Sequence, residues 1–357
     1  MNIQNPRLLI LMFGGTTTKI GIQEGDNLLK ETIRHSLEEM DKYATVWEQS
    51  VVRRRDIIGW VESKGHTMKD FDAIVSVSGL VKPSEPGVYL INEAMVADMK
   101  SEQYGIHTSN PGCVLCYELG KEFEIPTITV DPTNDVNMIK IARYSGLPQI
   151  ERPNSYHVAN QKATAHAVAK ELGKTYEESN IIVAHIGSGT TVGAHCQGKV
   201  IDVNNGIEAD GPFSAVRCGA VPVGPLVDMC YSGEYTRQEM HKLLGVKSGL
   251  AGYLGTSDGV EIEERIVAGD EEAKAVVEAM AYQVAKEIGA RAVTLRGKVD
   301  AVAVTGGLAN WERVVDAIKY WVEHIAPFYV YPGENELESL AAGALRYMRG
   351  EEGLKQY

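Results

Sequence analysis

Two short turns in the sequence combine glycine with hydroxyl side chains and could hold phosphate groups. In the first, Gly14 and Gly15 precede Thr16 and Thr17, and the second, residues 187–191, reads G-S-G-T-T. Glycine lets a phosphate approach the backbone, while threonine hydroxyls and N–H groups can donate hydrogen bonds to its oxygens. Neither turn matches the P-loop or the dinucleotide-binding fingerprint, and each alone could be a structural hairpin. Together they favour a site that holds the phosphates of a nucleotide from two sides.

A third turn, T-G-G-L-A-N at residues 305–310, ends a predicted strand and opens a predicted helix. Gly306 and Gly307 would present bare backbone there, against which an adenosine or its ribose could lie. The other interpretation is an ordinary strand-to-helix turn.

Four polar residues stand out by their context. Asp131 follows the predicted strand 127–130, where a carboxylate suits Mg²⁺ or a reacting group, although a helix cap is an equal alternative. His157 could be catalytic or structural. Arg217 lies in a loop rich in glycine and proline and could grip a phosphoryl group, or lie on the surface. Glu336 opens the last predicted helix, where an acid also favours the helix dipole.

Two of the five cysteines form a C-x-x-C pair, which predicts buried thiols rather than a metal or redox site. Cys113 and Cys116 form C-x-x-C, but they lie inside the apolar, helix-like run 112–123. A zinc or redox motif needs a second pair or a strand-to-helix opening. An odd, sparse set of cysteines also argues against a disulfide framework and for a reducing compartment.

The segments that carry the candidate residues occur twice. Residues 8–25 and 181–198 both read as an apolar strand, a Gly/Thr turn, a second strand and a second turn. Residues 72–80 and 300–308 are a second matching pair, each a β-branched strand that ends in a small-residue turn. Two pairs in the same order predict a duplicated α/β protein whose strands are covered on both faces. The cleft between the halves is then the expected ligand site.

Composition bounds the remaining possibilities. A chain of 357 residues predicts about two domains. Lysine and arginine number 35 against 48 acids, a net charge of −13, which disfavours nucleic acid and anionic membranes as partners. No run approaches the ~20 apolar residues of a spanning helix, and the polar N-terminus does not resemble a signal peptide. We therefore expect a cytoplasmic protein. Separately, we expect aromatic residues such as Trp321 to lie in the core of the protein.

Several motifs together resemble those of the butyrate kinase branch of the acetate kinase family. The resemblance covers essentially the whole chain. The matching motifs are H-T-S-N-P-G at 107–112, N-Q-K-A at 160–163, I-V-A-H-I-G-S-G-T-T-V-G-A-H at 182–195, D-V-N-N-G at 202–206, G-P-F-S at 211–214, R-C-G at 217–219, T-G-G-L-A at 305–309 and Y-P-G-E-N-E at 331–336.

This resemblance implies duplicated actin-like ATPase domains, related to the ribonuclease H fold, with a central cleft between two lobes. It implies an N-terminal lobe over residues 1–150, with the helix 336–357 packing back on it, and a nucleotide-binding lobe over 151–335. The implied reaction is reversible phosphoryl transfer between ATP and a short-chain, possibly branched, fatty acid, with Mg²⁺, giving ADP and an acyl phosphate. Homodimers or larger homo-oligomers are common in the family.

The resemblance also implies roles for individual residues. Asp131 would lie at the reacting phosphoryl group and the metal, and His157 and Arg217 would stabilise the phosphoryl group in transfer. Glu336 would be the metal-linked acid, with Glu334 as the alternative register. The residues implied to bind the nucleotide are Gly14, Gly15, Thr16, Thr17, His185, Gly187, Ser188, Gly189, Thr190, Gly306, Gly307 and Asn310.

The sequence departs from the family pattern at two positions. Met12 stands where the first turn normally has asparagine, and Val77 stands where the strand before Gly79 normally has arginine. Loss of a charge-assisted contact in a transition state costs about 3 kcal/mol, or about a hundredfold in rate. Two hypotheses follow. The protein is either an active carboxylate kinase of the butyrate type, or a catalytically impaired nucleotide-binding paralogue that acts as a sensor or assembly partner. The motifs that remain complete favour the first.

Overall fold

The structure is a computed structural model and describes residues 5–40, 42–43, 45–132, 137–206, 210–333 and 335–357. The chain divides into two compact units, Met1–Val136 with Asn335–Tyr357 and Asn137–Glu334, called unit 1 and unit 2 below. Within the described ranges, every helix is too short or too polar to cross a lipid bilayer.

The regular elements alternate along the chain. The strands are β1 (Arg7–Phe13), β2 (Thr17–Glu24), β3 (Asn27–Arg34), β4 (Ala73–Ser76), β5 (Val88–Leu90), β6 (Thr127–Val130), β7 (Asn180–Ile186), β8 (Thr190–Cys196), β9 (Lys199–Val203), β10 (Ala301–Gly306), β11 (Phe328–Pro332) and β12 (Leu354–Lys355). The helices are α1 (Leu37–Met40), α2 (Ser50–Ser63), α3 (Glu93–Ser101), α4 (Ser109–Phe123), α5 (Lys140–Arg143), α6 (Val158–Glu171), α7 (Val223–Tyr231), α8 (Arg237–Val246), α9 (Gly249–Leu254), α10 (Gly259–Val267), α11 (Glu271–Thr294), α12 (Glu312–Val322) and α13 (Glu336–Met348). Short 3₁₀ turns occur at Met68–Asp70, Tyr176–Glu178 and Gly307–Asn310.

Unit 1 is built on a mixed sheet with the strand order β12-β5-β6-β4-β1-β2-β3. β1, β4 and β6 run parallel, and β2 and β3 continue the sheet as an antiparallel meander. Apolar side chains cover both faces of the central strands. α2 and α4 pack on one face, around Leu9, Leu11 and Ile74, and α13 packs on the other, around Leu8, Ile10 and Val75.

Unit 2 is built on a second sheet with the order β11-β10-β7-β8-β9. β7, β10 and β11 are parallel, and β8 and β9 form an antiparallel meander. α11 and α12 pack against one face and α6 against the other. The main core lies between β7, β8, β10 and the long helix α11, whose apolar side chains recur at helical spacing.

The two sheets repeat one arrangement of five strands. The order β6-β4-β1-β2-β3 of unit 1 corresponds to β11-β10-β7-β8-β9 of unit 2, with the same parallel and antiparallel pairs. The duplicated α/β fold predicted from the two sequence repeats is therefore confirmed. The sequence also predicts amphipathic helices over residues 271–289 and 311–325, where apolar residues recur at helical spacing. They correspond to α11 and α12, although α11 continues to Thr294.

The predictions for buried side chains are partly confirmed. Cys113 and Cys116 are fully buried in α4, and burial raises the pKa of the Cys113 thiol to about 12. This pair is therefore unreactive core. The prediction for Trp321 is wrong: its side chain is 48% exposed and lies edge-on to Tyr320 and Tyr282. The reason is its position in α12, whose buried face carries Val314, Ile318 and Val322 instead.

Candidate functional site

The first glycine-threonine turn of unit 1 joins β1 to β2. The turn is closed by a hydrogen bond of 2.9 Å from the Gly14 N–H to the Thr17 carbonyl oxygen. Phe13, the last residue of β1, is buried against α4, and a Cβ on Gly112 would lie only 2.2 Å from the Phe13 ring. This close contact fixes the end of β1 and therefore the place where the turn begins.

A buried arginine that belongs to none of the sequence motifs binds the carbonyl groups of this turn. The Arg53 guanidinium donates to the carbonyl oxygens of Gly14, Gly15 and Thr17, each at 2.8 Å, and to the Thr18 hydroxyl at 3.0 Å. Burial lowers the pKa of Arg53 to about 10, so the group stays cationic at neutral pH. Because the guanidinium binds the carbonyl groups, it fixes the orientation of the peptide units in the turn.

A signal for Arg53 was present in the sequence. Three consecutive arginines, residues 53–55, look like a solvated charge run on a helix. However, the buried residues Ile57, Trp60 and Val61 of α2 follow Arg53 at helical spacing. Only the first arginine of the run shares their face.

Asp131 lies at the carboxyl end of β6, as the sequence predicts. Its backbone has a φ of +49°, in the left-handed region that aspartate tolerates better than most residues. One carboxylate oxygen, Oδ1, accepts a hydrogen bond of 2.9 Å from the Gly87 N–H, and the Asp131 N–H donates to the Gly87 carbonyl. The reciprocal pair anchors the carboxylate to a neighbouring loop of the same unit.

Glu336 is buried at the first turn of α13 and makes an ion pair with Lys19 of β2. The Lys19 Nζ lies 3.1 Å from the Glu336 Oε2. Burial raises the pKa of Glu336, and the Lys19 charge opposes that shift. The alternative acid, Glu334, lies outside the described residues.

Asp131 and Glu336 are carboxylates, the donors that Mg²⁺ prefers, and one or two of them suffice beside phosphate oxygens. In the described ranges, no group of three or more His, Cys, Asp or Glu residues has metal-binding geometry.

The Lys19–Glu336 pair predicts a stability effect. Lys19→Met leaves a carboxylate that is 5% exposed without this cation, so we expect the free energy of unfolding to fall by about 3 kcal/mol in urea titrations. The double variant Lys19→Met/Glu336→Leu removes both charges and is expected to recover most of the loss. Equal stability of Lys19→Met and the unchanged protein would contradict this assignment.

The two positions that depart from the family pattern are neighbours in unit 1. Leu11 of β1 pairs with Ser76 of β4, and the next residues along these parallel strands are Met12 and Val77. Both side chains pack against the same apolar cluster, which includes Leu337 and Leu340 of α13. The structure thus places an apolar surface where the family pattern has an amide and a guanidinium.

In unit 2 the second glycine turn, residues 187–189, joins β7 to β8. The loop 211–217 lies on this turn: the Ser214 hydroxyl donates to the Ser188 carbonyl, and the Ala215 N–H donates to the Gly187 carbonyl over 3.4 Å. The same loop brings Arg217 to the turn. A Cβ on Gly189 would lie 1.9 Å from the Arg217 Nη1, so glycine is required for this approach.

The Arg217 guanidinium is held in place by the backbone. The Arg217 Nη1 donates to the Gly206 carbonyl oxygen. The backbone N–H of Arg217 donates to the Ser214 hydroxyl at 3.2 Å. Burial lowers the pKa of Arg217 but leaves an arginine cationic at neutral pH. The Arg217 side chain is half-buried, and its cation lies directly against a glycine-rich turn.

Two histidines stack beside the start of β8. The rings of His157 and His185 are 3.7 Å apart between centroids and nearly parallel, at 9°. His157 Nδ1 lies 2.9 Å from the Thr191 hydroxyl, and His185 Nδ1 lies 2.7 Å from the Asn160 Oδ1. His157 precedes α6 and His185 is the penultimate residue of β7, so the two elements together position the stack.

The third turn follows β10. Gly306 has a φ of +97°, and a Cβ there would lie 2.3 Å from the Ile186 carbonyl oxygen. Gly307 has open space where a Cβ would be, and the Asn310 side chain donates to the Gly307 carbonyl at 3.0 Å. β7 and β10 are parallel neighbours, so this turn and the turn at 187–189 lie at the same edge of the sheet.

The predicted residues thus fall into two groups. Unit 2 brings together the stacked histidines, Arg217, the turn at 187–189 with Thr190, and the turn that contains Gly306, Gly307 and Asn310. Unit 1 contains the remainder, which are Gly14, Gly15, Thr16, Thr17, Asp131 and Glu336.

Comparison with known proteins gives one family and a consistent set of structures. Residues 150–331 match the sequence profile described as the Acetokinase family. The chain is similar to a propionate kinase from Francisella tularensis subsp. tularensis SCHU S4, with a TM-score of 0.75 and 19% identity, covering 95% of this chain and 98% of that one. It is also similar to Porphyromonas gingivalis acetate kinase, with a TM-score of 0.74 and 19% identity, covering 96% and 99%. At these identities the likeness establishes the fold.

Proposed function

The chain belongs to the acetokinase family, and from this premise we propose that it is an ATP-dependent carboxylate kinase of the butyrate type. The reaction is reversible transfer of the γ-phosphoryl group of ATP to a short-chain fatty acid, giving ADP and an acyl phosphate. The observation that carries the proposal is the half-buried Arg217 guanidinium against the Gly189 turn, in the same unit as the stacked histidines. Phosphoryl transfer needs fixed cations and N–H donors around the phosphoryl oxygens, and this arrangement supplies them.

The roles proposed for unit 2 concern the nucleotide and the phosphoryl group. The glycine-rich turn at 187–189 would bind phosphate oxygens through its N–H groups, with Thr190 and His185 beside it. The turn at Gly306, Gly307 and Asn310 would take the adenosine. His157 and Arg217 would stabilise charge on the equatorial oxygens of the phosphoryl group.

The roles proposed for unit 1 concern the metal and the second set of phosphate contacts. Asp131 and Glu336 would hold Mg²⁺, which neutralises phosphate charge when it is bound. The Lys19 ammonium already neutralises the Glu336 carboxylate, so this residue can remain buried before metal binds. In the turn from Gly14 to Thr17, Arg53 binds the carbonyl groups and the Gly14 N–H is bonded to Thr17, so the other backbone N–H groups would donate to phosphate.

The apolar pair Met12 and Val77 supports a fatty-acid substrate. Both side chains extend an apolar cluster, and the buried Val88 belongs to the same cluster. An acid with an alkyl chain of several carbons gains about 0.8 kcal/mol per buried methylene, whereas acetate has too little apolar surface to benefit. We therefore expect butyrate and branched acids to be preferred over acetate.

The decisive test is formation of an acyl phosphate. The protein is incubated with ATP, Mg²⁺ and a panel of acids from acetate to branched and aromatic acids, and the product is trapped with hydroxylamine. We expect product with butyrate or a branched short-chain acid and a lower kcat/KM with acetate. ATP binding without product from any acid would overturn the proposal and favour the catalytically impaired alternative.

A further inference from the structure

A buried chain of hydrogen bonds in unit 2 leads to His157. It begins at Tyr176, whose hydroxyl lies 2.8 Å from His195 Nδ1, and continues from His195 Nε2 to Gln161 Oε1 at 3.1 Å. Gln161 Nε2 then lies 2.7 Å from the Thr191 hydroxyl, which is 2.9 Å from His157 Nδ1. Gln161, Thr191 and His195 are fully buried, so water does not compete for these bonds.

The orientation of the Gln161 amide fixes the direction of donation along this chain of hydrogen bonds. The Gln161 Nε2 also lies 3.0 Å from the Thr191 backbone carbonyl oxygen, which can only accept, so the amide nitrogen must face Thr191. The Oε1 of Gln161 must then accept from His195 Nε2, which leaves His195 Nδ1 as the acceptor for Tyr176. This assignment needs a neutral His195, and burial lowers the pKa of that ring to about 3. A Cβ on Gly193 would lie 2.3 Å from the Gln161 Oε1, so glycine makes room for the amide.

The hydrogen bond between Gln161 and the Thr191 hydroxyl also determines which atom donates between Thr191 and His157. The hydroxyl accepts a hydrogen bond from Gln161 Nε2, and its own proton needs an acceptor. Among the described residues, the side-chain partners of this hydroxyl are Gln161 and His157. If His157 Nδ1 were also a donor, two donors would point at the hydroxyl and its proton would have no acceptor. His157 Nδ1 is therefore the acceptor.

We propose that Gln161, acting through the Thr191 hydroxyl, is a positioning residue that holds neutral His157 in the tautomer protonated on Nε2. The ring then offers an N–H donor to an anionic ligand without carrying a charge of its own. In the function proposed above, on which this part of the inference rests, that donor serves a phosphoryl oxygen.

The partner ring in the stack is protonated on Nδ1. Asn160 Nδ2 faces the Gly333 carbonyl oxygen at 3.5 Å, so its Oδ1 faces His185 and accepts from the Nδ1–H of that ring. Two imidazolium rings only 3.7 Å apart would repel each other, which favours at least one neutral ring in the stack. His185 Nδ1 is held by Asn160, outside the chain through Gln161, so this ring serves as an internal control.

The test reverses the chain and observes the tautomer directly. Gln161→Glu puts an oxygen in place of the amide donor, which loses the bond to the Thr191 carbonyl and leaves the Thr191 hydroxyl proton as its donor. The hydroxyl then donates to the introduced carboxylate and accepts from His157 Nδ1–H. Protein with ¹⁵N-labelled histidine is studied by long-range ¹H–¹⁵N NMR, and His157 is assigned by loss of its signals in His157→Gln. We expect an Nε2–H ring in the unchanged protein, an Nδ1–H ring in Gln161→Glu, and an unchanged His185 in both. Gln238→Glu, on the exposed α8, is the charge-matched control.

A second variant guards against misfolding of Gln161→Glu. Thr191→Val removes the hydroxyl at nearly constant volume, and we expect the His157 tautomer to become mixed. An Nδ1–H ring in the unchanged protein, or an unaltered tautomer in both folded variants, would overturn the inference, whether or not the protein is a kinase. If the protein is a kinase, kcat in Gln161→Glu is expected to fall by about 100-fold. An unchanged kcat with a reversed tautomer would overturn the phosphoryl role of the donor.

Discussion

Asp131→Asn is expected to lower kcat for acyl phosphate formation by at least about 100-fold and to leave the free energy of unfolding nearly unchanged. The asparagine Oδ1 can still accept the hydrogen bond from the Gly87 N–H, and asparagine tolerates the positive φ of this position. The variant therefore removes the charge and keeps the geometry. The measurements are initial rates with the best acid and urea unfolding.

The dependence on Mg²⁺ separates a metal role from a structural one. If Asp131 holds the metal, the Mg²⁺ concentration that gives half-maximal rate rises in Asp131→Asn. Asp131→Ala is the comparison variant, because it also removes the bond from Gly87 and is expected to lose stability. Full activity of the folded asparagine variant would show that the carboxylate charge has no part in the reaction.

Arg217→Gln is expected to reduce kcat by about 1000-fold, the upper range for loss of one charged donor to a developing oxyanion. Arg217→Lys keeps the charge but loses the planar fork, and we expect about 30-fold to 100-fold. ATP affinity should change less than kcat, because a contact made in the transition state contributes mainly to the rate.

A matched control for Arg217 lies in the same unit. Arg313 also places its guanidinium in fixed hydrogen bonds, in its case to the Glu263 carboxylate of α10. Arg313→Gln is expected to leave kcat unchanged within about twofold. Equal losses in the two variants would show that the effect of Arg217→Gln comes from a general loss of stability.

The fold was predictable because two strand-turn-strand segments repeat in the sequence. The turn at Gly14 and the turn at Gly187 interrupt apolar runs, and such runs are typical of strands covered on both faces. The same reasoning placed Asp131 after β6, since the carboxyl ends of parallel strands are where ligands bind. The predicted helix and strand ends were less accurate, because tertiary contacts extend α11 by several residues beyond the apolar pattern.

Contacts that depend on strand register or side-chain direction were not predictable. The sequence separates Met12 from Val77 by many residues, and only the pairing of β1 with β4 makes them neighbours. Lys19 follows the first turn, but strand alternation directs it to Glu336, from a distant part of the chain. The hydrogen-bond chain from Tyr176 to His157 combines three separate segments, none of which carries a motif for such a relay.

The adjacency of Met12 and Val77 constrains how such a pair can evolve. Each side chain is half-buried on the same apolar cluster, so a single substitution toward the family pattern would partly bury one polar group against one apolar neighbour. The cost of that intermediate, about 1–3 kcal/mol for an unpaired buried polar group, opposes either first step. We therefore expect epistasis between the two positions, so that a lineage holds both polar residues or both apolar residues, rarely one of each.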